Sequence, residues 1–256
     1  MRPASFVPGA ALLAVLLLLP FTPALAQGSK EERMEQHIQS FHFSDTAYIQ
    51  EPQQLQLQLG GLWWKRTGDD SFELPLSLEF GASERFEFDG EVDFSFPQPN
   101  TGNLRAVERA SAGVMMALVD SRASGVAVTA GLAFVGSRDS LDNSFDPGAA
   151  PSLSAIAQRG MFIANVELSM DIISRNSNVD LTPEAALGLA LDLGRVQPVL
   201  EAVYENDESA TGIFAAGLRF HPTQSLELGA AVPLEVSGGE THVGFTTSVV
   251  LELGGS

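Results

Sequence analysis

The chain has 256 residues, no cysteine, and 14 Lys+Arg against 32 Asp+Glu, for a formal charge of −18. The missing cysteines exclude disulfides, thiolate metal sites and a cysteine nucleophile. The acid excess argues against a nucleic-acid partner, whose phosphates require a basic face. With 45% hydrophobic and 18% charged residues the chain is too apolar to stay disordered, and it is long enough for one large barrel or sandwich.

In chain order, the first element is a secretory signal peptide over residues 1–26. Arg2 gives a positive start, Ala10 to Leu19 form an apolar core, Pro20 breaks it, and Ala24-Leu25-Ala26 is a small-x-small cleavage site before Gln27. The apolar core is too short to span a bilayer, which takes about 20 residues. No later stretch has 18 consecutive apolar residues. The mature protein is therefore expected to be exported, as either a soluble protein or a β-barrel. Residues 27–52, which begin with Lys30, Glu31, Glu32, Arg33 and Glu35, are expected to form a polar periplasmic N-terminal segment.

From Gln53 the hydrophobic period becomes two. Leu55, Leu57 and Leu59 alternate with glutamines, and Phe72 to Phe80 opposes Glu73, Pro75, Ser77 and Glu79. The clearest run places Phe86, Phe88, Val92, Phe94 and Phe96 against Arg85, Glu87, Asp89, Glu91 and Asp93. Such alternation sends successive side chains to opposite faces of a strand. Further strands are expected over Val126–Phe134, Phe162–Ile172, Leu187–Leu193, Val196–Tyr204, Phe214–Phe220, Leu226–Leu228 and Val243–Leu253. Strands of about 9–11 residues suit a tilted crossing of a bilayer, whereas soluble strands average nearer 5–6.

Connections alternate in length. Short turns are expected at Gly81–Glu84, Ser121–Ser124, Gly194-Arg195 and His221–Gln224. Longer loops are expected at Lys65–Asp70, Pro97–Arg105, Gly136–Arg159, Glu205–Ala210 and Glu235–Glu240. Eleven clear strands leave the count odd, and a weak strand between Ser174 and Thr182 (Val179, Leu181) restores parity. The expected fold is thus an all-β, antiparallel up-and-down transmembrane barrel over residues 53–253, with twelve strands or alternatively ten.

In a membrane barrel the polar faces point inward. The candidate lumen residues are then Glu73, Glu79, Arg85, Glu87, Asp89, Glu91, Asp93, Glu167, Asp171, Asp192, Glu201, Arg219, Glu227 and Glu252. Arg85 and Arg219 are the basic residues recognised on those faces. An acidic open lumen favours cations; the alternative is a small interior filled by its own side chains. Trp63-Trp64 reads as an interfacial anchor or as ordinary strand packing. His37, His42, His221 and His242 show no established metal-ligand spacing, and no phosphate-loop or dinucleotide glycine motif is present. Gly188, Gly194, Gly217, Gly229 and Gly244 read as barrel and turn glycines. No catalytic residue, cofactor or metal is expected.

Two hairpins carry a family resemblance. Leu74-Pro75-Leu76-Ser77-Leu78-Glu79-Phe80-Gly81-Ala82-Ser83-Glu84-Arg85-Phe86-Glu87 resembles a strand–turn–strand of bacterial outer-membrane barrels labelled as transporters, or as proteins of the meta-pathway of phenol degradation. Residues Gly217 to Gly229, with His221-Pro222-Thr223 at the turn, resemble the late hairpin of the same family. The resemblance spans about Gln53 to Leu253 and implies a Gram-negative outer-membrane location and passage of small, including aromatic, molecules. It transfers no catalytic motif. The leading expectation is a passive channel or transporter in contact with outer-membrane lipid and small solutes. The alternatives are a barrel enzyme acting on lipid, built on His242 with a serine such as Ser237 and with Glu240, and a soluble periplasmic β-sandwich.

Overall fold

The computed structural model describes residues 41–44, 46–65, 70–97, 107–121, 125–138, 145–175, 178–206 and 210–254. The expected signal peptide and its cleavage site lie outside these residues. Twelve strands follow in order: β1 (Leu55–Lys65), β2 (Ser71–Ser83), β3 (Phe86–Pro97), β4 (Arg109–Ser121), β5 (Val126–Arg138) and β6 (Phe145–Arg159) form the first half. The second half is β7 (Phe162–Arg175), β8 (Asn178–Leu191), β9 (Val196–Asn206), β10 (Ala210–Thr223), β11 (Leu226–Ser237) and β12 (Glu240–Leu253). Each strand pairs antiparallel with its chain neighbours, and β1 pairs with β12 from Leu55↔Leu253 to Lys65↔Val243, so the sheet is a closed barrel. Closure leaves no sheet edge with unpaired backbone groups.

The alternation in sequence becomes two faces. Outward positions carry exposed apolar side chains, among them Phe72, Leu76, Leu78, Phe88, Leu132, Phe134, Leu189, Leu200, Phe214, Leu218, Leu228 and Leu251. Inward positions carry buried Glu87, Thr129, Asn165, Gln197, Glu201, Arg219 and Glu227. A soluble sandwich has the opposite arrangement, with its apolar faces packed against each other. The barrel corrects that alternative. Aromatic side chains mark both ends of the exposed surface. At the long-loop end, Phe245, Trp63, Phe72 and Phe96 are paired in register across β12, β1, β2 and β3, and the Phe72 and Phe96 rings are 5.9 Å apart. At the short-turn end Phe80 pairs with Phe88, with Phe162 and Phe220 exposed further round.

Three sequence expectations are corrected. The twelfth strand is not a short one between Ser174 and Thr182: Val179 and Leu181 open β8. It is β6, inside the stretch expected as the Gly136–Arg159 loop, which also contains the end of β5. Two prolines and a run of small residues conceal the alternation of β6. Pro151, lacking an N–H, sits at a gap in the β6–β7 register between Ala149↔Ile172 and Ser152↔Ser169. The turn that restores parity is Gly160-Met161, where Gly160 has φ +60°. The strands also run longer than expected, from 11 residues in β1 to 15 in β6.

Of the expected N-terminal segment 27–52, residues 27–40 and 45 lie outside the described residues. In the described part Phe41, Ala47, Ile49 and Gln50 are buried at 1–2% exposure, inside the barrel against the inner wall.

Candidate functional site

The candidate site is the barrel interior together with the segment Phe41–Gln54 that crosses it. The segment is fixed at two places on opposite walls. At the β9 wall, the carboxylate of Glu201 accepts the backbone N–H of His42 at 2.7 Å on Oε1 and that of Phe43 at 2.9 Å on Oε2. The Phe41 N–H turns back to the Ser44 carbonyl at 2.9 Å. At the β1–β3 wall, the Gln50 N–H is donated to Glu87 Oε2 at 2.5 Å. The Gln50 side-chain amide is donated to Gln56 at 2.9 Å and Glu79 at 2.8 Å, and Gln56 also donates to Glu79 at 3.0 Å. Burying these polar groups is tolerable because they are paired, and bonds to a carboxylate are the stronger kind.

Between the anchors the contact is apolar. Phe41 and Ala47 cluster with Ala127, Ile156, Ile163, Ala190 and Val199 from five different strands, with Tyr48 packed alongside. Missing side chains on the wall make the space. A Cβ built on Gly188 would sit 2.6–2.8 Å from ring carbons of Phe41. A Cβ on Gly217 would sit 2.8 Å from Nε2 of His42, and one on Gly229 would be 2.9 Å from its ring carbon. His42 lies in this glycine cradle, and neither ring nitrogen has a hydrogen-bond partner. Burial, and then the positive charge of Arg219, push its pKa down to about 3, so it enters uncharged.

The chain then turns onto β1. Gln53, at φ 67°, donates its N–H to the Gly81 carbonyl at 2.8 Å, and Gly81 N–H returns to Gln54 at 3.0 Å. Gly81 faces the carbonyl of Glu51 so closely that no side chain fits there.

Of the sequence candidates, Glu73, Glu79, Glu87, Asp89, Glu91, Asp93, Glu167, Asp171, Glu201, Arg219, Glu227 and Glu252 fall on the strand faces opposite the exposed apolar rows. Arg85 and Asp192 do not. Arg85 is exposed in the turn between β2 and β3, where its N–H meets Ser83 Oγ at 3.3 Å. Asp192 caps the turn after β8, accepting the Gly194 N–H at 3.0 Å. Both read as strand residues in the sequence because the alternation continues one step past each strand end.

Two groups of charges are brought together. Near the short-turn end Arg219 and Glu227, each fully buried, form an ion pair, and His221 Nε2 lies 3.5 Å from the same carboxylate. Near the long-loop end Arg109 of β4 reaches past β5 and β6 to Asp171 of β7 with two bonds of 2.5 and 3.1 Å. Arg175 pairs with Asp146 at 3.0 Å in the same half. Arg109 and Arg175 are inner-face bases that the alternation did not reveal: Arg109 begins its strand and Arg175 ends one. Asp89 lies over Gly113, its carboxylate 2.8–2.9 Å from where a Cβ would be. The tryptophans split, with Trp63 38% exposed on the outer face and Trp64 2% exposed on the inner. His242 Nε2 lies 3.7 Å from Glu240, while Ser237 Oγ accepts a bond from Thr211 at 2.9 Å. Among the described residues no group of three or more His, Cys, Asp or Glu is placed to hold a metal ion.

Comparison with solved structures places this architecture. The NanC porin superposes with a TM-score of 0.55 at 13% identity, covering 77% of this chain and all of the other. The KdgM porin superposes at 0.53 and 10% identity, covering 78% and 99%. The fold is that of the outer-membrane porins. KdgM has also been solved in complex with disordered oligogalacturonate, and that structure superposes at 0.54. No family model matches the sequence, and no curated protein matches it.

Proposed function

We propose that the chain is an outer-membrane β-barrel that passes small solutes and prefers cations. One observation carries the reading: a closed barrel with an apolar exterior between two aromatic rows and an interior lined by carboxylates. From Phe72 to Phe80 along β2 is about 26 Å at 3.3 Å per residue, which a strand tilt of about 40° turns into about 20 Å of height, most of the apolar band of about 25 Å of outer-membrane barrels. Lipid is therefore the partner of the outer face. Export by a signal peptide cleaved after Ala26 fits this location. The acidic inner wall distinguishes the chain from a path for polyanions: field lines from Asp89, Glu91, Asp93 and Glu167 raise the local cation concentration. The resemblance to barrels of the phenol meta-pathway supports small aromatic molecules as a second solute class.

The purified protein in planar bilayers under a KCl gradient is expected to give discrete conductance steps with a reversal potential of cation sign. Combining Asp89→Asn, Glu91→Gln and Asp93→Asn is expected to move that potential toward zero. An unchanged potential in the triple variant would remove the acidic wall as the cause. Silence in the wild type and in every variant would remove the channel.

The lipid-facing assignment has its own check, because the chain contains only two tryptophans. In vesicles of brominated phospholipid, the Trp64→Phe variant, which keeps Trp63, is expected to lose most of its fluorescence. The Trp63→Phe variant is expected to keep most of its own. Equal quenching of the two would mean that this part of β1 is turned differently.

A further inference from the structure

We propose that Phe41–Gln50 is a displaceable plug, so that the barrel is closed while this segment is seated and conducts when it leaves. The inference rests on the channel reading and adds its regulation.

Three features of the contact point to a removable element. First, the barrel is complete without it: β1 and β12 close the sheet along eleven paired positions, so unseating the segment breaks no strand pairing. Second, the anchors are side chains of the wall holding backbone N–H groups of the segment, namely Glu201 on His42 and Phe43, and Glu87 on Gln50. Once the segment leaves, these carboxylates can be satisfied by water and by the cations of the lumen. The polar anchors therefore leave no unpaired buried carboxylate behind when the segment leaves, and the apolar contact of Phe41 and Ala47 between them is what holds it seated. Third, the seat is shaped for this occupant. Gly188 of β8, Gly217 of β10 and Gly229 of β11 are recessed where Phe41 and His42 lie. The segment joins the wall at the start of β1, at the short-turn end, where Leu55 pairs with Leu253 and Phe80.

The test uses a reversible lock, feasible because the chain has no cysteine of its own. His42→Cys combined with Gly229→Cys places two thiols where the His42 ring now meets the glycine. In planar bilayers in KCl, the oxidised double variant is expected to stay closed, and reduction with dithiothreitol to raise conductance at least tenfold. A second variant guards against misfolding of the first. Glu201→Ala removes both acceptors at one anchor and is expected to conduct without reductant, at a higher open probability than the wild type. Its folding is checked by heat-modifiable migration on gels. If the fully cross-linked and the reduced protein conduct equally, the plug is overturned and the channel stands. If Glu201→Ala, folded, conducts no more often than the wild type, the plug is also overturned. If neither variant nor the wild type ever conducts, both readings fall.

Discussion

Replacing Arg219 with leucine is expected to destabilise the barrel by about 3–5 kcal/mol, the usual cost of breaking a buried ion pair by removing one partner. Arg219 and Glu227 are both fully enclosed, on neighbouring strands and close to Glu201, so the variant leaves buried carboxylates without their guanidinium partner, with the His221 ring 3.5 Å from Glu227 as the nearest other base. Most of that cost is the stranded charge and not the attraction that was lost. The double variant Arg219→Leu with Glu227→Leu should therefore recover a large part of the loss, because apolar replacements of both partners are often neutral. Urea titration in detergent micelles, followed by tryptophan fluorescence, reads the midpoints. A single variant as stable as the wild type would mean that Glu227 is protonated or hydrated, and that the pair is not the lock of this wall.

The second large effect concerns the seat of Phe41. Truncating a well-packed phenylalanine costs about 3–5 kcal/mol. Applied to docking of the segment, the lower figure lowers the ratio of seated to unseated forms roughly 150-fold, at about 1.4 kcal/mol per factor of ten. Phe41→Ala should therefore expose the segment, and Gly188→Val should do the same from the wall side by filling the space the ring needs. The two together should be milder than Gly188→Val alone, since the added methyl groups then occupy the vacated volume. A cysteine placed at Ala47, buried at 1% in the wild type, reports the result through its rate of maleimide labelling. Labelling unchanged in both single variants would show that the polar anchors alone hold the segment.

The barrel was legible because a strand that separates lipid from an enclosed interior must alternate, and β2, β3 and β12 do so over their whole length. The count of twelve followed from parity, although its weakest member was misplaced. β6 carries Pro147, Gly148, Ala149, Ala150 and Pro151, and small residues give no contrast between the faces. The occupied interior was much less visible. Charge and period describe one strand at a time, whereas the seat is built by residues brought together from six or more strands. Two signals were present all the same. The stretch Phe41-His42-Phe43 with Tyr48-Ile49 is too apolar for a solvated tail, and glycines at 188, 217 and 229 sit on inner faces where a bulky neighbour was needed to explain them. The reach of Arg109 to Asp171 could not be read at all, because it spans two intervening strands.

The junction of the inner segment with β1 also sets an order of assembly. His42 and Glu201 are 159 residues apart along the chain. Closing the barrel through β1 and β12 ties the wall to Leu55, thirteen residues after His42, and shortens the effective tether accordingly. With a loop cost that grows as (3/2)RT ln n, this shortening is worth about 2 kcal/mol to docking. The segment therefore seats only weakly on a partly zipped sheet and firmly on a completed one. Its burial makes it a marker of finished folding, and nascent chains still being zipped should expose Phe41 to proteases that the mature barrel excludes.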